Sequence, residues 1–490
     1  MDYSQFGAML PELIILGLFF IVFLVDTFTK DGEKKFLTPV TAILFALSTI
    51  AIWIIPASDQ AIFGGMYVDT AACKVMKAIL NIGVFIVFLQ SAEWVRTDEI
   101  AIRKGEFYEL ILVTLFGMYL MISARHFLLF IIGLEAASLP LAALVAFNKK
   151  HYDSHEAAIK YILTAVFSSA ILLMGISFVY AFSGGSLYFE DIRNAISVGA
   201  HSGLLICALA FVIAGIGFKL SLVPFHLWTA DVYQGAPTAI TSYLSVISKG
   251  SAAFAFFVIF VQVFGTLYSG LWEWMMYAVI IATITVGNLF AIRQKNMKRF
   301  MAFSSISQAG YIMLGVMTES AMGLGSMMFY IFVYIVSNLA AFGVISAVEN
   351  KTGKLSMDDY DGFHKTNPRL SFAMTLAMFS LAGIPPFAGF FSKILIFTSV
   401  TAVDSMALYM LVLIALINTI ISLYYYLLVV KAIWLKPGDA KIERFESDKC
   451  DRVAMCLCVS GIVFLGLVPY IYDYCIEVAP TAIATITTLL

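Results

Sequence analysis

Residues 201–264 read HSGLLICALAFVIAGIGFKLSLVPFHLWTADVYQGAPTAITSYLSVISKGSAAFAFFVIFVQVF. Two apolar runs, near 201–228 and 237–264, each exceed the roughly 20 residues that cross a ~30 Å hydrocarbon core. Each run nevertheless holds a lysine, Lys219 in the first and Lys249 in the second, and Pro224 interrupts the first just beyond Lys219. Proline removes an amide donor and clashes with the preceding turn. Backbone groups left open at membrane depth persist only where protein covers them or where they line a hydrated cavity. The stretch therefore predicts membrane spans assembled around buried charge.

Similar runs lie near 9–28, 36–55, 71–92, 106–123, 126–147, 158–182, 271–291, 297–318, 321–348, 369–400, 405–434 and 453–475, which makes about fourteen spans. The composition agrees. Of 490 residues, 61% are hydrophobic and 13% charged, where soluble domains carry roughly 25% charged residues. So little polarity cannot cover a water-facing surface, and the expected class is an all-α polytopic membrane protein in a lipid bilayer. The formal net charge of -2 gives nucleic acid no attraction. Cys73, Cys207, Cys450, Cys456, Cys458 and Cys475 show no CxxC and no iron–sulfur or zinc spacing, and read as reduced packing residues. No basic leader or small-residue cleavage site precedes the first run, which reads as a retained span. The glycine patterns of nucleotide-binding loops are missing, so NADH, if involved, binds another chain.

The basic residues set the orientation. Of 30 Lys and Arg, 23 fall between an odd span and the next even one: Lys30, Lys34, Lys35; Arg96, Arg103, Lys104; Lys149, Lys150, Lys160; Arg293, Lys295, Lys298, Arg299; Lys351, Lys354, Lys365, Arg369; Lys431, Lys436, Lys441, Arg444, Lys449, Arg452. The opposite loops hold Arg125 and Arg193, and Lys74 and Lys77 are assigned to the outer end of the third span. By the positive-inside rule the odd-to-even loops are cytoplasmic and both termini face outward, as a multi-pass protein of a bacterial inner membrane.

Lys219, Lys249 and Lys393 remain inside apolar runs, with Glu135 in HFLLFIIGLEAASLPLAALVAF. A charge at the bilayer centre costs about 2.5–3.5 kcal/mol on insertion scales. The bland alternative is that one or two reach an interface or form a static ion pair. A proton switch fits four such groups better, because a buried lysine can lose its proton and an arginine cannot. Pro385 and Pro386 precede Lys393 much as Pro224 follows Lys219, and interrupted helices in corresponding halves of a chain mark ion sites in transporters with internal repeats. His226 in VPFHLW is a candidate relay, its alternative being a helix-end histidine bonded to backbone. No pair of mid-span histidines faces another pair, which disfavours haem.

The stretches FKLSLVPFHLWTADVYQGAPTAITSYLSVISK, NMKRFMAFSSISQAGYIMLG, SLAGIPPFAGFFSK, GLEAASLPLAALVAF and EAAIKYILTAVFSSAILLMGISFVYAFSG, spread over about 106–434, resemble the antiporter-like subunits of respiratory complex I and the related Mrp cation/proton antiporters, subunit N most of all. The resemblance implies fourteen helices, with spans 4–8 and 9–13 as two inverted five-helix repeats and discontinuous helices at spans 7 and 12. It divides the chain into 1–105, an N-terminal three-helix segment; 106–265 and 266–434, the repeats; and 435–490, a cytoplasmic loop and C-terminal helix. It implies proton translocation through Glu135, Lys219, Lys249 and Lys393, driven by redox energy from neighbouring subunits. This chain would hold no cofactor. NADH, flavin, iron–sulfur clusters and quinone would sit in partner subunits, and the partners would be a neighbouring antiporter-like subunit and small membrane subunits of the same arm. Two departures stand out: Ala230 replaces a proline in WTADVY, and Gln308 stands where many relatives have a titratable histidine. The tyrosines of SLYYYL (422–427) read as interface packing. The rival readings are an Mrp-type antiporter subunit, a haem- or quinone-binding redox protein, and a solute permease.

Overall fold

Several helices in this chain open at polar caps, as the computed structural model shows. Thr70, Asn296, Ser320 and Asp448 each accept a hydrogen bond from an amide of the turn they begin, at 3.0 to 3.3 Å. Such caps satisfy amides that the helix itself leaves unpaired. The structure describes residues 3–30, 34, 36–97, 99–198, 203–265, 271–436 and 440–483. Among these, 13 helices are long and apolar enough to cross a membrane. In chain order the elements are α1 (Gln5–Phe28), α2 (Leu37–Ile54), the hairpin strands β1 (Ala61–Ile62) and β2 (Tyr67–Val68), α3 (Ala71–Ser91), α4 (Ala101–Ser123), α5 (Phe127–Val145), α6 (Tyr152–Phe182), the short α7 (Phe189–Val198), α8 (Gly203–Leu220), α9 (Leu227–Gly235), α10 (Thr238–Phe264), α11 (Trp272–Ala291), α12 (Met297–Thr318), α13 (Ala321–Thr352), α14 (Pro368–Ala382), α15 (Ala388–Thr401), α16 (Met406–Trp434), α17 (Lys449–Leu467) and α18 (Tyr470–Val478). The halves α14 and α15 together supply the fourteenth crossing.

Two boundaries differ from the expected ones. The last span, expected at 453–475, starts at Lys449 under its Asp448 cap and ends at Leu467. Pro469 cannot continue the ladder, and α18 is a separate helix. The sixth span starts at Tyr152, so Lys160, expected in a loop, lies on α6, where it pairs with Glu156 at 2.8 Å and Asp231 at 2.7 Å.

The odd-to-even loops gather on one face, as the basic residues require. Arg96 bonds Asp448 at 3.0 Å, Lys351 pairs with Glu93, Arg299 meets Asp231 at 2.6 Å, and Lys436 meets Asp361 at 3.0 Å. On the opposite face Tyr67 bridges Ala124, His126 bridges Tyr188, and the amide of Ala72 donates to Thr481. Met1 and Leu490, whose side the basic loops predict, lie outside the described residues. With a membrane-impermeant maleimide on sealed right-side-out vesicles, we expect Ala402→Cys to be labelled and Glu446→Cys to stay unlabelled. The reverse pattern would invert the assignment.

Three helices form the centre: α10 and α12 are 100% enclosed by protein along their apolar windows, and α13 is 94% enclosed. A lysine there has no lipid-facing route along which to extend its charge to the interface. Around this centre α4 and α5 touch backbone to backbone. A Cβ on Gly117 would fall 2.5 Å from the Ala137 amide nitrogen, so only glycine admits the contact. That contact fixes the rotation of α5, which carries Glu135 and Ser138.

Candidate functional site

The seventh crossing is broken within the membrane. α8 ends at Leu220, Ser221 turns the chain at φ +62°, Pro224 has no amide, and α9 resumes at Leu227. Lys219 occupies the last turn of α8 and is 4% exposed. Its ammonium donates to Ser138 Oγ at 2.7 Å and to the Tyr161 hydroxyl at 3.3 Å. Ser138 follows Glu135 by three residues on α5 and so shares its face. The Glu135 carboxylate acts electrostatically on Lys219 while remaining half-buried. Ser138 Oγ, which accepts from Lys219, donates to the Leu134 carbonyl at 2.6 Å, and no closed ion pair joins Lys219 to Glu135.

Lys249 lies on α10 and is 2% exposed. A π-helical turn, Leu244–Ser248, immediately precedes it; such turns recur at functional sites. The ammonium donates to Ser305 Oγ of α12 at 2.7 Å and stands 5.6 Å from the Tyr233 ring centre. Between Lys219 and Lys249 the described contacts are aromatic: Tyr161 packs on Trp228 with centroids 5.3 Å apart, and Trp228 on Tyr233 at 6.4 Å. His226 sits at the helix break, half-buried and within electrostatic reach of Lys249. Its Nδ1 is buried without a hydrogen-bond partner among the described residues.

From Lys249 towards Lys393 the contacts become a polar chain. Beside Ser305, Ser304 Oγ meets the Tyr426 hydroxyl at 2.5 Å. Gln308 Nε2 donates to Tyr426 at 3.1 Å and to the Leu381 carbonyl at 3.3 Å. The Lys393 ammonium donates to that same carbonyl at 2.9 Å and to the Ala382 carbonyl at 3.0 Å. Tyr330 donates to Gln308 Oε1. Gln308, Tyr330, Tyr334, Ser337, Ser380 and Lys393 line a small cavity, roomy enough for about one water.

The second break explains the place of Lys393. α14 stops at Ala382, Gly383 takes φ +87°, and Pro385 and Pro386 withhold their amides before α15 starts at Ala388. The last carbonyls of α14 are left open, at the negative end of the helix dipole, and the ammonium closes two of them. A Cβ on Gly383 would lie 3.1 Å from Lys393 Cδ, so this glycine turns the chain and leaves room for the lysine. The broken crossings stand five spans apart. An odd repeat length reverses direction across the membrane, so the two broken crossings run in opposite senses.

The structure sets Lys219 beside the Glu135 face of α5, His226 near Lys249, and Lys393 at the second helix break. It also adds further residues. Tyr424 faces outward, but Tyr425 donates to Asn288 at 2.9 Å and Tyr426 joins the polar chain, so two of the three tyrosines read as packing belong to the buried network. Asn418, Ser422 and Tyr425 fall at helical spacing on an otherwise apolar helix, the signal that marks them. Lys77, read as interfacial, is fully buried on α3 in an ion cluster with Glu12 and Asp69. Among the described residues no group of three His, Cys, Asp or Glu side chains is placed to hold a metal ion.

Comparison with known proteins gives the setting. Residues 124–422 match the family model described as NADH:quinone oxidoreductase/Mrp antiporter, TM. The chain is 50% identical over 475 residues to NADH-quinone oxidoreductase subunit N of Phocaeicola vulgatus, covering 96% of this chain and 98% of that one. It is 35% identical over 468 residues to subunit N 1 of Thermodesulfovibrio yellowstonii, covering 95% and 97%. Among solved structures it resembles a chain of respiratory complex I from Thermus thermophilus, with a TM-score of 0.78 at 28% identity over 94% of this chain and 97% of that one. A chain of the Mrp complex from Dietzia sp. shares the fold, with a TM-score of 0.82 at 19% identity over 99% and 97%.

Proposed function

The chain belongs to the NADH:quinone oxidoreductase/Mrp antiporter membrane family, on its subunit N branch, and we propose that Glu135, Lys219, Lys249 and Lys393 carry its proton path. It is a multi-pass, proton-translocating membrane-arm subunit of an NADH:quinone oxidoreductase. In our reading no redox chemistry takes place in this chain. NADH, flavin, iron–sulfur clusters and quinone stay in partner subunits. Residues 106–265 and 266–434 act as the two repeats, 1–105 and 435–490 are the terminal segments, and both termini face outward. A neighbouring antiporter-like subunit and small membrane subunits flank it.

The observation that carries this reading is a row of enclosed groups in two hydrogen-bonded pieces that meet at adjacent residues of α12: Lys249 on Ser305, and Ser304, Tyr426 and Gln308 leading to the carbonyl that Lys393 also holds. Hydroxyls can accept and pass on a proton. Gln308 cannot titrate, so its amide orients the chain while the adjoining cavity offers room for water. The energies are of the right size. Two charges ~5 Å apart at an effective dielectric of ~20 exchange roughly 3 kcal/mol. Moving one proton against ~180 mV takes about 4 kcal/mol. Glu135 sets the state of Lys219. Being half-buried on the flank of the chain, it is also the member that a neighbouring subunit can reach, and a change in its field would alter how readily Lys219 and then Lys249 hold their protons. His226, at the break and near Lys249, is assigned an accessory relay role.

We expect Glu135→Gln to lower the ratio of protons taken up to electrons transferred, in vesicles energised with NADH, because it removes the field on Lys219 while preserving volume. Glu135→Asp should be milder. Native gels check assembly, since loss of one partner from a buried charged pair costs about 3–5 kcal/mol. A normal ratio in the assembled Gln variant would rule out the switching role of Glu135.

A further inference from the structure

The N-terminal segment holds buried charge that the path above leaves unused. Lys77 donates to Glu12 Oε1 at 2.7 Å and to Asp69 Oδ1 at 2.7 Å, and the Tyr67 hydroxyl donates to Glu12 Oε2 at 2.6 Å. Lys77 and Glu12 are 0% exposed and Asp69 is 2% exposed. The Tyr67 and Tyr119 rings flank the ammonium, 5.6 and 5.4 Å from their centres. Two carboxylates therefore share one ammonium in a fully enclosed site. Buried ions cost several kcal/mol each unless paired, so a static clasp would be better served by one carboxylate than by two. The second carboxylate leaves the cluster one proton short of neutrality.

The other charged and titratable groups nearby do not fill that need. Asp59 lies next to Asp69 and donates its amide to the Asp69 carbonyl at 3.1 Å. Lys74, half-buried, precedes Lys77 by one turn. Arg125 donates to the Ala124 carbonyl at 2.9 Å and reaches Cys73 Sγ at 4.0 Å, not the carboxylates. On the inward side stands a second, independent feature. Asn81, one turn beyond Lys77 on α3, accepts from the Tyr119 hydroxyl at 2.6 Å. Its Nδ2 is buried without a partner among the described residues. A buried donor left open beside a charge-surplus cluster suits a water that delivers a proton.

We propose that Glu12, Asp69 and Lys77 form a proton-holding site on the face opposite the basic loops, outside the two repeats, through which protons leave the subunit. A hydronium arriving past Asn81 gives its proton to a carboxylate oxygen: one O–H bond breaks on the hydronium, one forms on the carboxyl group, and water remains. Release reverses this onto outer water. Asp69 is the exit, because both Glu12 oxygens accept hydrogen bonds whereas, among the described residues, Asp69 accepts a side-chain hydrogen bond at Oδ1 alone, and Asp69 holds the cluster's small solvent contact. This extends the proposed path and relies on it for the supply of protons.

The test uses the assembled oxidoreductase in sealed vesicles, with NADH-driven proton uptake normalised to electron transfer. Asp69→Asn and Glu12→Gln each leave a balanced one-to-one pair with Lys77. We expect both to assemble and transfer electrons, with the ratio falling to the Lys249→Arg value, and the double variant Asp69→Asn/Lys249→Arg falling no further. A structural clasp predicts undiminished pumping in both. An unchanged ratio in both, or failure of both to assemble, overturns the proposal. Should Lys249→Arg pump normally while Asp69→Asn does not, protons reach the outer site by a route that bypasses Lys249: the outer site is supported and Lys249 drops out of the path.

Discussion

Replacing Lys249 with arginine is expected to abolish the proton translocation carried by this subunit while the oxidoreductase still assembles and transfers electrons. Lys249 stands where the two halves of the path meet, on a helix enclosed by protein along its whole apolar length. Its ammonium donates to Ser305 and lies over Tyr233. Arginine keeps the charge, can donate to the same hydroxyl, and stacks on aromatic faces at least as well as lysine, but it is not deprotonated in proteins. A group that must give up its proton in every cycle fails with arginine; a group that only supplies charge does not. Lys249→Met, close in shape and neutral, should block translocation too. The measurement is proton uptake per electron in NADH-energised vesicles, with native gels for assembly. A Lys249→Arg variant that pumps at the unmodified ratio would show that this lysine carries no proton, and the path would have to bypass α10.

Much of this architecture is legible in the residues because the membrane imposes few solutions. Apolar length fixes the spans, and the sorting of 23 of 30 basic residues to alternate loops fixes their parity. Lys219 and Lys249 are visible because each lies far from either end of its apolar run, and Lys393 because Pro385 and Pro386 break the run ahead of it. The groups that escaped notice did so for the converse reason. Glu12 and Lys77 fall within two turns of the ends of their spans, where a charge normally reaches water. Only the packing of α1 and β2 against α3 closes that route. The tyrosines at 425 and 426 look apolar in any hydropathy count, and their hydroxyls acquire meaning only when α16 is set against Ser304 and Gln308. Gln308 does not titrate, and its place as the link between Tyr426 and the Leu381 carbonyl depends on how α14 breaks, which a pair of prolines announces without orienting. The Glu135–Lys219 pairing was legible as proximity. The Ser138 hydroxyl that takes the Lys219 hydrogen bond was not, since it follows from the rotation of α5 that the Gly117 contact sets.

Lys393 should separate the work of a charge from the work of a proton carrier more sharply than any other position, because here the lysine has a structural task that can be counted. Its ammonium closes the Leu381 and Ala382 carbonyls at 2.9 and 3.0 Å, which the break at Gly383 leaves without intrahelical partners. Lys393→Met removes both donors. Gln308 still donates to the Leu381 carbonyl, but the Ala382 carbonyl loses the partner described for it; leaving a buried acceptor unsatisfied costs about 1–3 kcal/mol, so this variant should lose roughly that much locally, and native gels should show less assembled complex. Lys393→Arg keeps a cation at the negative end of the α14 dipole and has donors enough for both carbonyls, so assembly should persist. If Lys393 hands protons on from the Gln308 chain, the arginine variant nevertheless stops pumping, because its charge cannot be released. If Lys393 is only a cap for the broken helix, arginine pumps normally and methionine fails by misassembly alone. Assembly with blocked translocation in Lys393→Arg, beside poor assembly in Lys393→Met, is the expected pair of results. Full pumping in the assembled arginine variant would reduce Lys393 to a cap and end the path at Gln308.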